Sequence, residues 1–241
     1  MQYLENILAV LAYRAKGWKL IDRKDSIMVL RKGSSTMMCH GSSTIYSISN
    51  LDSYYSNSYW DLFIPLPGLY AKPKILMIGL GGGTIARQIS AFYESAEIEI
   101  VEINEGIAEL ATKYFPLPNA NIIISDGAAF VKEMRNAYDL IILDAFIGNS
   151  IPSKFMKSDF FSGAYAALKE KGILAVNCIS SAEQIKKLAN GFVSCTIRSA
   201  VLGENSIVIC SKSMAAAEIK EKALSTQHLN RNVADAYAGI A

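Results

Sequence analysis

Histidine is almost missing from this sequence, with only His40 and His228 in 241 residues. They lie far apart with no partner at ligand spacing, which leaves little on which to build a zinc site or a histidine-activated nucleophile. Cysteine is scarce too, and Cys39, Cys178, Cys195 and Cys210 form no Cys-x-x-Cys pair. The last three fall in apolar, strand-like runs and read as reduced core residues of a cytosolic protein, so no metal is expected. Charge of one sign is also lacking: 24 Lys and Arg face 22 Asp and Glu, with no basic run, which disfavours nucleic acid as a partner. No apolar run is long enough to span a bilayer. The longest near the start covers residues 7–13, and Glu5 precedes it where a signal peptide carries positive charge. The expectation is a soluble, cytoplasmic protein without membrane contact.

Apolar residues make up 51% of the chain, enough for one sizeable core with an appendage. The texture changes near residue 70. Before it, Leu4, Ile7, Leu8 and Leu11 recur at helical spacing over residues 3–15. Residues 18–49 then break into the short runs SIMVL, TMMC and TIYSIS, separated by Gly33 and Gly41, which predicts a helix followed by a small β-meander. From Lys74 onward, apolar runs at 75–78, 98–101, 122–124, 140–143 and 173–176 alternate with helical segments, the pattern of a parallel sheet covered on both faces. The last two runs, 192–197 and 206–210, are joined by RSAVLGEN with no helix, so they are expected to pair antiparallel at the sheet edge. Residues 1–50 are assigned to the N-terminal helix and β region, and 51–225, including a helix in MAAAEIKEKAL, to the α/β domain. Residues 226–241 form a tail that the pattern does not place.

The first α/β strand runs straight into Gly79-Leu80-Gly81-Gly82-Gly83. In an open parallel sheet this strand-to-helix turn is where the backbone comes closest to a ligand, and glycines there leave room and expose the N–H groups of the next helix. The loop departs from the dinucleotide fingerprint, since Thr84 stands where the third glycine belongs. Three acids follow at successive strand ends. Glu102 closes EIEIVE and suits a ribose diol, or is a solvated strand terminus. Asp126-Gly127 suits an exocyclic amine of adenine, or starts a helix. Asp144 ends the fourth α/β strand, at the ligand edge, where reduced solvation favours catalysis.

These residues resemble the spermidine synthases, or polyamine aminopropyltransferases. The resemblance runs from about Ser58 to Val176 and implies a class I methyltransferase-like Rossmann sheet, with the antiparallel C-terminal edge hairpin fitting the same fold. By it, the family's glycine loop falls on 79–84, its ribose-binding acid on Glu102 within VEIN, its adenine-contacting Asp-Gly on Asp126-Gly127, and its catalytic Asp on Asp144. Its Ser-Tyr-His/Gln-Glu motif resembles SYWD, which puts a substrate-side tyrosine on Tyr59. The implied co-substrate is S-adenosylmethionine or its decarboxylated form, and the implied partner is a small-molecule amine. Three positions depart from the family: Gly82 replaces the loop Asp that holds the donor's amino group, Ile147 replaces an acid that engages the amine, and Trp60 replaces His or Gln.

Asp144 is therefore expected to orient the amine and take its proton, with Tyr59 as a second partner. Phe146, Trp60 and Tyr54 are expected either to wall the pocket or to pack as core. Gly82 and Ile147 keep a methyltransferase using intact S-adenosylmethionine open, as well as a non-catalytic homologue; a nicotinamide oxidoreductase fits less well because of Thr84. The meander's edges point to self-association, a homodimer being the simplest form.

Overall fold

The computed structural model describes residues 2–41 and 44–240, with side-chain detail from Leu8 onward. Helix α1 (Gln2–Ala15) leads into an antiparallel meander of β1 (Lys19–Lys24), β2 (Ile27–Lys32), β3 (Ser35–His40) and β4 (Thr44–Asn50), paired in that order. Two-residue turns close the first two hairpins, with Asp25 and Gly33 at positive φ, as the right-handed twist of paired strands favours. Strand β2 is buried continuously over Ile27, Met28, Val29 and Leu30 because both faces of the meander are covered. Met28, Leu30, Met37 and Cys39 pack under α1, whereas Ile27, Val29 and Met38 join the main core.

Helix α1 forms as expected. Among its described side chains Ala9 and Tyr13 are buried, whereas Leu8 and Leu11 are 63% and 55% exposed; Leu4 and Ile7 lie outside the residues whose side chains are described. The small Ala9 lets the helix backbone approach the methionine-rich face of the meander, and Tyr13 supplies one broad ring one turn later. Fit to that face overrides the count of leucines.

The α/β unit runs β5 (Lys74–Ile78), α2 (Thr84–Phe92), β6 (Glu97–Glu102), α3 (Glu105–Tyr114), β7 (Asn121–Ile124), α4 (Gly127–Glu133), β8 (Tyr138–Leu143), α5 (Ser158–Ala167), β9 (Leu168–Cys178), α6 (Ala182–Leu188), β10 (Val193–Arg198) and β11 (Ser206–Ser211). Its seven-stranded sheet has the order β10-β11-β9-β8-β5-β6-β7. Strands β5 to β9 pair in parallel, and β11 pairs antiparallel with both β9 and β10. Alternate residues feed two cores: Ile75 and Met77 point to one face, and Leu76 and Ile78 to the other. Successive strands run outward from β5 in both directions, first β6 and β7, then β8 and β9. A crevice therefore opens beyond the carboxyl end of β5, at the topological switch point. All four cysteines are free and buried. Among the described residues, no helix is long and apolar enough to cross a membrane.

Two helices close the chain, α7 (Ala216–Leu224) and α8 (Arg231–Ala238). The second falls where the sequence pattern placed nothing. Asn230 caps it by accepting from the Val233 N–H, and Val233, Ala236 and Tyr237 enter the main core. The buried Tyr237 hydroxyl donates to the Leu62 carbonyl at 2.8 Å, which ties the end of the chain beneath the segment carrying Tyr59. Tyr237→Phe is expected to cost about 1 to 2 kcal/mol, as a buried carbonyl loses its donor. Tyr237→Ala is expected to cost about 3 to 5 kcal/mol, as a large cavity opens. Urea unfolding of the two variants measures both losses.

Candidate functional site

The glycine loop is bare because two neighbours press against it. Gly79 has φ of +99°, and a Cβ there would stand 2.3 Å from the carbonyl oxygen of Asp144 on the adjoining strand end. Gly81 has φ of +53°, and its Cβ would stand 2.6 Å from the Tyr46 carbonyl oxygen of β4. The meander is fastened here: the hydroxyls of Ser47 and Thr84 share a hydrogen bond, Thr84 donates to the Ile48 carbonyl, and Arg87 donates to Ser49 and to the Ser53 carbonyl. Strand β4 thereby becomes a wall of a cavity of about 510 Å³ at the switch point, within the range of small-molecule sites.

Gly79, Gly81, Glu102, Gly127, Asp144 and Tyr59 all line this cavity, whereas Gly82, Gly83 and Asp126 do not. A Cβ on Gly82 would sit 2.5 Å from the Phe115 ring, and one on Gly83 would sit 2.1 Å from the Leu117 side chain. Both glycines thus serve the packing of the loop on the segment after α3, and a larger residue at position 82 requires Phe115 to move.

Glu102 is buried at the end of β6. One carboxylate oxygen accepts from the Leu80 N–H at 3.0 Å and the other from the Asn104 N–H at 2.8 Å, which clamps the glycine loop to the start of α3. A carboxylate has about four acceptor positions, so capacity for further donors remains. Asp126 caps α4 through the Ala128 N–H and pairs with Lys154 at 3.0 Å. Burial pushes its carboxyl up, but Lys154 and the helix N–H groups outweigh that and hold it below the usual value. Gly127 packs on Ile78, where a Cβ would meet the side chain at 2.4 Å.

Asp144 follows β8 directly, and its N–H donates to the Ile78 carbonyl. Asn177, fully buried near the end of β9, donates to the carboxylate at 2.7 Å, and Asn205 in turn donates to the Asn177 side-chain carbonyl at 2.9 Å. The Tyr59 hydroxyl lies 3.4 and 3.5 Å from the two carboxylate oxygens. Burial pushes the Asp144 carboxyl up to about 6, and the donors Asn177, Tyr59 and Trp60 only partly offset it. Burial and the charge of Asp144 hold the Tyr59 hydroxyl well above its ordinary value, so Tyr59 remains a donor. Tyr59 is carried on a short 3-10 helix (Tyr59–Phe63) anchored from below by Asp61, which accepts from the backbone and hydroxyl of Ser56, from the Asn57 N–H and from Gln88.

Trp60 and Phe146 line the cavity as expected. Tyr54 does not: its ring packs on Phe92 under the Arg87 guanidinium, because that cation and ring offer it a better surface than the cavity wall. Sequence reasoning missed Tyr46, Ser47, Asn177 and Asn205. Only Asn177 left a signal, a lone amide in the buried run ILAVN. Among the described residues no group of three or more His, Cys, Asp or Glu could hold a metal ion.

The sheet order, the crevice at its switch point and the antiparallel edge define a Rossmann-like, class I methyltransferase type of fold. Residues 59–215 match the spermine/spermidine synthase domain. The chain belongs to the spermine/spermidine synthase family, a family of transferases. It is 30% identical over 195 residues to a polyamine aminopropyltransferase of Chromobacterium violaceum, covering 75% of this chain and 73% of that relative. It is 34% identical over 170 residues to an N-terminal histidine N-methyltransferase of Emericella nidulans, covering 63% of this chain and 30% of that relative. The chain spans 30% to 42% of the length of three of the curated relatives it matches. Its fold resembles that of a probable spermidine synthase from Corynebacterium glutamicum, with a TM-score of 0.69 at 20% identity over 87% of this chain and 88% of the other.

The position of Asp144 has an energetic signature. Its carboxyl titrates near 3.8 when unperturbed and near 6 in the fold, so the native state holds the proton more firmly than the unfolded chain. Burial therefore costs nothing below about pH 4, costs progressively more as the pH rises to about 6, and reaches about 3 kcal/mol above that. Asp144→Asn keeps an acceptor for Asn177 without the charge. It is expected to raise the unfolding free energy by about 1 to 3 kcal/mol at pH 8 and to leave it unchanged near pH 4; urea unfolding at the two pH values reads the difference.

Proposed function

We propose that the cavity binds an S-adenosyl sulfonium nucleoside and that the protein transfers its alkyl group, aminopropyl in the first reading, to an amine. The observation that carries this is the convergence of four strand ends on one cavity, with backbone cradles at Gly79 and Gly81, the Glu102 carboxylate opposite them, and the raised carboxyl of Asp144 beside Tyr59. The residues fit such a nucleoside: Glu102 has acceptor capacity for a ribose diol, and Gly79, Gly81 and Gly127 bring bare backbone to the cavity wall.

A sulfonium supplies a good leaving group, departing with the electron pair of its broken C–S bond as a neutral thioether. The amine nitrogen uses its lone pair to form the new C–N bond, and the proton it sheds passes to Asp144. A carboxyl raised to about 6 is still ionised at neutral pH, yet is a stronger base than an ordinary carboxylate. Tyr59 and Asn177 hold it in place, and such alignment supplies much of the acceleration when the leaving group is already good.

A second reading, methyl transfer from intact S-adenosylmethionine, is favoured by Gly82. Position 82 offers no carboxylate to repel the donor's own, and Phe115 fills the space a side chain would take. Mass spectrometry of products from each donor with a panel of amines separates the two. In either case methylthioadenosine is expected to raise the Tm, and NAD is not. Glu102→Ala is expected to weaken methylthioadenosine binding about ten- to a hundredfold. Turnover is expected to fall away below about pH 6 as Asp144 takes up its proton. Stabilisation by NAD alone would overturn this reading.

A further inference from the structure

The charges facing the cavity are few and mostly committed. Among the described residues they are, besides Asp144, Glu102 and Lys154. Glu102 already accepts from two backbone N–H groups, those of Leu80 in the glycine loop and Asn104 at the start of α3, and Lys154 is paired with Asp126. A cationic acceptor therefore finds one carboxylate at the reacting end, Asp144. The large apolar side chains that line the cavity from the Tyr59 segment, from the β8–α5 connection and from beyond β9 include Trp60, Phe146, Ile147 and Ile179, and the further polar side chains there, Asn149 and Asn205, are uncharged amides.

We infer that the acceptor carries a single amino group on an apolar body, in place of a diamine or polyamine. Its ammonium, before deprotonation, pairs with Asp144. A second ammonium a few carbons away would leave water among Trp60, Phe146 and Ile147 with no counter-ion, or would come up against Lys154. Cation–π contact with Trp60 offsets only part of that cost. An apolar body gains instead, because Ile147 is 75% exposed at the edge of the cavity and has apolar surface to give. Its segment is held in shape by reciprocal backbone hydrogen bonds with Ser150, so that surface is presented before any ligand arrives.

The inference rests on the nucleoside and amine reading of the cavity, and the test keeps the two apart. The full chain is saturated with methylthioadenosine and titrated by calorimetry at about pH 8 with hexylamine, 2-phenylethylamine and 1,6-diaminohexane. The two monoamines are expected to bind at least about tenfold tighter than the diamine. Ile147→Asp, a change at an exposed position, is expected to shrink or invert that ratio. A diamine that binds the wild-type protein as tightly as the monoamines, or no amine binding to the nucleoside-loaded protein, overturns the inference and leaves nucleoside binding standing. Failure of methylthioadenosine itself to bind removes the underlying reading and the inference with it.

Discussion

The carboxyl ends of β5 and β8 approach so closely that residue 79 has no room for a side chain. Gly79 donates its N–H to Val101 on one side and lies against the Asp144 carbonyl on the other. That contact sets the start of the glycine loop, puts Asp144 at its edge and leaves Glu102 across from both. The meander completes the enclosure, since β4 lies against Gly81 and is fastened to the first turn of α2 through Ser47 and Thr84. The appendage predicted from residues 1–50 is thus, through β4, a wall of the cavity.

The cavity holds two acids in opposite states of rest. Glu102 has its oxygens on backbone N–H groups and works as a clamp between loop and helix. Asp144 has a close donor in Asn177, two long contacts with Tyr59 and a contribution from Trp60, which together do not offset its burial. Unequal solvation of neighbouring carboxylates is a common way to divide binding from proton transfer. The Asn205–Asn177 pair orients the amide that donates to one carboxylate oxygen of Asp144.

Much of this was legible in the sequence. Apolar runs of three or four residues, alternating with helical segments, are what strands buried on both faces look like, and the helix-free link RSAVLGEN marked the antiparallel edge. The acids at strand ends were legible because the switch-point rule says where strand ends meet. The direction of side chains was not. Four glycines within five residues carry no mark of which line the cavity and which face Phe115 and Leu117. The spacing of Leu4, Ile7, Leu8 and Leu11 gave a helix, but not that Ala9 and Tyr13 would be buried against the meander while Leu8 and Leu11 are exposed. Helix α8 is two turns long, too short for periodicity to show, and is held by tertiary contacts such as Tyr237 with Leu62. Asn177 and Asn205 act through pairing across two strand ends, which no local pattern encodes.

The central claim is that a poorly solvated carboxyl at the end of β8 faces the bound nucleoside. The direct measurement is the titration of the Asp144 side-chain carbon by NMR in protein labelled at aspartate, with the signal assigned by its loss in Asp144→Asn, with and without methylthioadenosine. The account predicts an inflection near 6 in the free protein, moving upward when the nucleoside excludes further water. An inflection near the ordinary aspartate value of about 4, unmoved by methylthioadenosine, would contradict it.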